Sequence, residues 1–324
     1  MPPVLNLYEQ QRRNRERTAF FLAAIVIFLA VLGLGADGFL YGAGGSPGLP
    51  ICTIGALAFG GISAWWALAS GDRAILESAA ARPVNVSDPA ERALDNVVEE
   101  MAIAAGLPKP AVWVIPDSDP NAFATGPGPA RASIAVTRGA IDALNREELQ
   151  GVVAHEMSHV RNLDIRLMTV VAALAGAILL VADASRRGVR WGGGRAVGRR
   201  EGKSGLFGIV FFLLWIVSLL LAPIVARLVA LGVSRQREYL ADASGAELTR
   251  NPLALASALE KIDAAAAPTP SIKQGVAYLC IADPLGNPAD APRGAWASLF
   301  STHPPIARRI ALLREMAYAK PPAA

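Results

Sequence analysis

Residues 152–162 read VVAHEMSHVRN, which puts His155, Glu156 and His159 within five positions of a chain that holds three histidines in all. Histidines four apart on a helix share one face and can share one ion, and Glu156 lies about 100° around the helix from His155. This is the H-E-x-x-H arrangement of zinc peptidases, with the histidines as ligands and the glutamate as general base. Zinc lowers the pKa of its water to about 7, where a carboxylate can take the proton. Five residues with three fixed also arise by chance, and the competing reading is a helix with two ordinary polar histidines. The helix itself is well signalled. Asn145 stands at its start, Glu148 follows three residues later as in a capping box, and Val152, Val153 and Ala154 provide apolar backing.

Catalytic zinc usually takes three protein ligands and keeps one position open, so two histidines are not enough. His303 is the remaining histidine. A second source is SRQREYLADASGAE, residues 234–247, where Glu238 and Asp242 are four apart on a predicted helix over 235–249. Glu238 can ligate zinc through oxygen. Asp242 can accept a hydrogen bond from the far N–H of a ligand imidazole and so fix its tautomer. The competing reading is a solvated acidic helix face paired with Arg235 or Arg237.

The bulk composition indicates a membrane protein. The chain is 53% hydrophobic and 18% charged, against roughly 25% charged in an average soluble domain. The excess falls in runs. Arg12, Arg13, Arg15 and Arg17 precede an apolar run from Ala19 to Ala36, and a second run goes from Pro50 to about Ser70 with Trp65 and Trp66 near its end. We read the pair as a retained anchor rather than a signal peptide, with the N-terminus in the cytoplasm and a short link holding Asp37 outside. A third run, Leu167 to Ala182, is marginal for a span, and a fourth, Leu206 to Ala226, is long enough. His155 precedes the third run and Glu238 follows the fourth, so an even number of crossings must separate them if they meet at one ion. The basic loop 184–205 between these runs goes against the positive-inside tendency if both cross, which keeps a re-entrant pair open. The net charge of +4 reflects flanking arginines, and we expect no nucleic-acid binding. Cys52 and Cys280 form no metal or disulfide pattern.

The soluble segments read as mixed α and β. A helix is expected from Ser87 or Asp88 to Gly106, a strand at AVWVI (111–115), and two short extended stretches joined by a Gly/Pro turn in NAFATGPGPARASIAVT. Further helices are expected near 235–249, 252–264 and 304–318, with a possible strand at VAYLCI.

The motifs HEMSH, SRQREYLADASGAE, FSTHPP and NAFATG, taken together with the apolar runs, resemble the HtpX-type membrane zinc metalloproteases, relatives of the CAAX-prenyl endoproteases. The resemblance spans roughly residues 5–315. It implies a gluzincin-type domain with one Zn2+ per chain on His155, His159 and Glu238, Glu156 as base and Asp242 behind the ligands. It further implies a bacterial or archaeal cell membrane, a cytoplasmic active site and a stress-response role in degrading misfolded membrane proteins. Asn121 to Gly126 resembles the family's edge strand, where Asn121 can bind a substrate main chain; the alternative is a plain hairpin turn. His303 can bind substrate or steady an oxyanion; the alternative is that STHPP caps the last helix. One of Arg308 and Arg309 is expected to pair with Asp242 or another carboxylate.

The expectation is an α+β, multi-spanning membrane protein with about four transmembrane helices and a gluzincin-type zinc metalloprotease domain assembled from two cytoplasmic segments. Residues 1–72 would be tail and hairpin, 73–164 and 233–324 the two catalytic halves, and 165–232 the second apolar pair. The expected function is a zinc endopeptidase acting on membrane-protein and unfolded polypeptide substrates at the lipid bilayer, with room for homo-oligomers. The alternative function is a zinc-containing scaffold or chaperone-like binding protein without turnover.

Overall fold

Helix α1, Leu7–Gly42, runs without a break from the arginine-rich start through the first apolar run. At 1.5 Å per residue it extends well beyond the ~30 Å of a bilayer core. In this computed structural model the described residues are 7–42, 48–171, 235–265, 279–282 and 304–318. The third apolar run beyond residue 171, the fourth run, the basic loop 184–205, His303 and the first half of VAYLCI lie outside them.

Helix α2, Ile51–Ser78, lies against α1 as the second arm of a hairpin. Both helices are long and apolar enough to cross a membrane. Close approach is set by small residues: a Cβ on Gly33 would stand 2.6 Å from the Thr53 Cα, and one on Gly60 would stand 3.4 Å from the Val26 Cα. Phe20, Ile27, Val31, Leu34, Ile54 and Ile62 point outward and exposed.

Two boundaries differ from the sequence expectation. Asp37 was expected in a link between helices but sits inside α1. There its carboxylate accepts hydrogen bonds from the first-turn N–H groups of α2, Cys52 at 2.9 Å and Thr53 at 2.8 Å, satisfying donors that a helix start leaves unpaired. Helix α2 also continues beyond Ser70, because Asp72, Ile75 and Leu76 form a buried face under the sheet.

The sheet has strands β1 (Arg82–Pro83), β2 (Ala111–Ile115), β3 (Ala122–Thr125) and β4 (Ser133–Thr137), in the order β1-β2-β4-β3. β2 and β4 are parallel, and β3 is antiparallel to β4 at one edge. Side chains alternate strictly between the faces. Val112, Val114, Ile134 and Val136 enter the main core, while Ile115, Phe123 and Ala135 meet Ile75, Leu76, Leu167 and Met168 on the other face.

The main core is closed by α3 (Pro89–Ala105), α4 (Arg138–Ala143), α5 (Arg146–Arg161), α6 (Arg235–Thr249), α7 (Pro252–Ala264) and α8 (Ile306–Tyr318). Asp88 caps α3 and Gly106 ends it in the left-handed conformation with φ 67°. The Asn145–Glu148 capping box of α5 is formed in both directions.

Candidate metal centre

Helix α5 is almost wholly buried from Leu149 to Val160. Its neighbour α6 comes close because position 245 is glycine: a Cβ there would stand 3.0 Å from the His155 N and 3.2 Å from its Cα. This approach brings Glu238 and Asp242 of α6 to the two histidines of α5.

The imidazoles of His155 and His159 are 4.9 Å apart, nearly perpendicular at 86°. His155 Nε2 lies 3.7 Å from Glu238 Oε2, and His159 Nε2 lies 3.7 Å from Glu238 Oε1. Donor atoms of all three residues fall within 4.8 Å of one another, and all three residues are buried. The far nitrogens face carboxylates: His155 Nδ1 is 3.0 Å from Asp242 Oδ1, and His159 Nδ1 is 3.1 Å from Asp164 Oδ2. A carboxylate only accepts, so each Nδ1 donates its proton there, which leaves each Nε2, facing Glu238, for a second proton or a metal ion.

A separation of 3.7 Å is too long for a hydrogen bond. Ligands at zinc distances around one tetrahedral ion stand roughly 3.4 Å apart, so small movements would admit one. Charge favours the same occupant. Burial alone would lower the affinity of His159 for a proton, but Asp164 and Glu238 outweigh it and push its pKa up to about 9. The pair of carboxylates thus calls for positive charge at this imidazole, and a metal binding there displaces a proton. Burial lowers the pKa of His155, against the pull of Asp242.

Glu156 is 1% exposed, and among the described residues neither of its oxygens makes a hydrogen bond of normal geometry. Burial has the larger effect and pushes its carboxyl up to about 7, although the nearby Ala124 N–H of β3 pulls it down. A buried carboxyl group without a good hydrogen bond is costly unless a nearby cation or reacting group uses it.

Arg309 of α8 is fully buried behind the site. Its Nε and Nη2 donate to the two oxygens of Asp242 at 2.8 and 2.7 Å, and Nη1 donates to the Ile281 carbonyl at 2.7 Å. Burial pushes the Asp242 carboxyl up, but Arg309 and His155 outweigh it and hold the group below the ordinary carboxylate range.

The structure therefore brings together His155, Glu156, His159, Glu238 and Asp242. Asn121 is 1% exposed and its side-chain amide bonds main chain elsewhere. Its Nδ2 donates to the Ala282 carbonyl at 3.2 Å, its Oδ1 accepts from the Ala122 N–H at 3.0 Å, and Phe123 bridges Cys280 across the same edge. The sequence reading missed Asp164. The chain leaves α5 through Leu163 at φ 61°, a left-handed turn that returns Asp164 to His159. An acidic residue just past the end of the HEMSH helix was the available signal.

The sequence model described as Peptidase family M48 matches residues 89–317. The chain belongs to peptidase family M48. The match starts at α3 and extends over every residue of the cluster. Among curated proteins, the chain is 40% identical over 310 residues to a protease HtpX homolog of Thermoanaerobacter pseudethanolicus, covering 96% of this chain and 98% of the relative. It is 42% identical over 311 residues to a protease HtpX homolog of Caldanaerobacter subterraneus, with the same coverage. A protease HtpX homolog of Tropheryma whipplei is 43% identical over 293 residues, 90% of this chain and 94% of the relative. At 310 and 311 residues, the first two alignments extend beyond residues 89–317 into the N-terminal region that holds the hairpin of this chain.

Proposed function

We propose that this M48 peptidase is a membrane-embedded zinc endopeptidase, with the metal held by His155, His159 and Glu238. The observation that carries the proposal is the convergence of both Nε2 atoms on the two Glu238 oxygens at 3.7 Å, beside the buried carboxyl of Glu156. Bound zinc supplies a Lewis acid and a water acidified to about pKa 7. Asp242 and Asp164 hold the imidazoles in the ligating tautomer. Glu156 accepts the proton of the attacking water on a carboxylate oxygen and delivers it to the leaving amide nitrogen.

A peptide would lie along the β3 edge by strand addition, which reads main chain rather than side chains and suits an unfolded substrate. Residues 279–282 already bridge that edge at Phe123, so the peptide would lie towards Thr125. For Asn121 to meet a substrate, its bond to Ala282 would have to be exchanged.

The outward apolar faces of α1 and α2 support a location in a bilayer. The arginine-rich end of α1 touches the metal centre through Asn14 and Asp164. The positive-inside tendency therefore supports a cytoplasmic site, the similarity to bacterial protease HtpX homologs supports a prokaryotic cell membrane, and misfolded membrane proteins are the substrates proposed.

The test is cleavage of casein by detergent-purified protein. The wild type should cut. Glu156→Gln should keep its zinc and lose at least about 100-fold in rate, the contribution expected of a general base. A wild type that holds zinc and never cuts would favour a scaffold without turnover.

A further inference from the structure

We infer that Asn14, on the membrane-entering helix α1, is a positioning residue for His159 that acts through Asp164. The inference rests on the zinc reading of the site and adds a residue outside the matched peptidase segment.

A helix that only anchors needs an apolar surface and basic flanks. Yet Asn14 and Thr18, one turn apart, are 5% and 3% exposed. Thr18 donates back to the Asn14 carbonyl at 2.7 Å, while Gln11 and Asn14 meet the C-terminal end of α5. The last carbonyls of a helix lack partners within it, and α1 supplies them. Gln11 Nε2 donates to the Arg161 carbonyl at 2.8 Å, and Asn14 Nδ2 donates to the Asn162 carbonyl at 3.0 Å.

The Asn14 amide reaches one residue group further. Its Nδ2 also donates to Asp164 Oδ1 at 2.7 Å. An amide nitrogen has two hydrogens, and these two contacts use both. With Oδ1 held by Asn14, the other oxygen of Asp164 is turned to His159 Nδ1 at 3.1 Å. Arg237 Nη1 also approaches Oδ1, at 3.5 Å, the limit of hydrogen-bond length. Asn14 is thus the shortest contact that fixes the rotation of the carboxylate behind His159. The membrane helix and the metal centre are joined by a chain of three side chains.

The experiment uses full-length protein in detergent and follows zinc release to an excess of chelator, well below the melting temperature. Removing a partner directly behind a metal ligand costs roughly 10- to 100-fold in metal affinity; one step further out, Asn14→Ala should speed release about three- to tenfold. Asn14→Asp, nearly the same shape, sets a carboxylate against Asp164 and should release at least as fast. It also serves if the alanine variant fails to fold. Gln11→Ala, which loosens α1 without touching Asp164, should stay within about twofold of wild type. In an Asp164→Ala background, Asn14→Ala should add little, because the two residues act in series. Wild-type release rates in both Asn14 variants, or an undiminished effect in the Asp164→Ala background, would overturn the inference while leaving the zinc site intact. A wild type that holds no zinc would instead sink the metalloprotease reading, and this inference with it.

Discussion

Arg309 is the charged side chain on which the buried site depends most. It is fully buried and gives two donors to Asp242, whose Oδ1 also faces His155. Removing one partner of a buried pair strands the other, at a cost of roughly 3–5 kcal/mol. Arg309→Met should therefore lower denaturant stability by about that amount, although methionine fills much of the volume. A loss under about 1 kcal/mol would mean that Asp242 finds compensation elsewhere. From sequence, Arg308 and Arg309 were equal candidates for this pairing. Burial separates them, since Arg308 is exposed.

Glu148 gives a second prediction at this scale. It accepts from Lys261 Nζ at 2.7 Å, Ser257 Oγ at 2.7 Å and the Asn145 N–H at 2.8 Å. Burial pushes its carboxyl up, but these partners outweigh it and hold the pKa below the ordinary range. A carboxylate lowered on folding stabilises fully above its unfolded pKa of about 4.3, and that contribution is lost as the pH falls through the folded value. Thermal melts from about pH 6 down to pH 3 should show the wild type losing stability more steeply than Glu148→Gln. Parallel curves would contradict the assignment.

At the scale of elements, α5 sits between two neighbours that approach through glycines. A Cβ on Gly245 would stand 3.0 Å from the His155 backbone N, and one on Gly151 would stand 3.0 Å from the Leu255 Cα. Gly245→Ala must push α6 away from α5 by a few tenths of an ångström and carry Glu238 with it. Overpacking of this kind costs about 1–3 kcal/mol. The expected outcome is a folded protein with weaker zinc affinity, read by chelator competition; unchanged affinity would show that the helix spacing has slack. The elements themselves were largely legible. The capping residues of α3 and α5, the strand at 111–115 and the hairpin of β3 and β4 follow local rules that require no knowledge of the fold. Less legible were β1, which has two residues, and α4, whose cap, Thr137, is itself the last residue of β4. The ends of α1 and α2 were misjudged because apolar composition marks where a helix meets lipid. It does not mark where the helix ends, and Asp37 and Asp72 are absorbed by hydrogen bonds and an ion pair.

At the scale of the whole molecule, the cluster joins parts that are far apart in the chain. His155 and His159 come from the first soluble segment, Glu238 and Asp242 from the second, Arg309 from the last helix and Asn14 from the first. Spacing within HEMSH announced two of the candidate ligands, because i and i+4 share a helix face. Glu238 was readable only as an ExxxD pair of uncertain purpose until the motifs were taken together. Asp164 was signalled only as an acidic residue just past the HEMSH helix, and Asn14 gave no pattern at all, since its contact between α1 and the turn after α5 depends on tertiary docking alone. The central claim is that both segments supply ligands to one ion. It is tested most directly by counting zinc in purified wild type and in Glu238→Ala. The account predicts about one zinc per chain in the wild type and its loss in the variant, with the fold retained by circular dichroism. Zinc held equally by both proteins, or by neither, would contradict it.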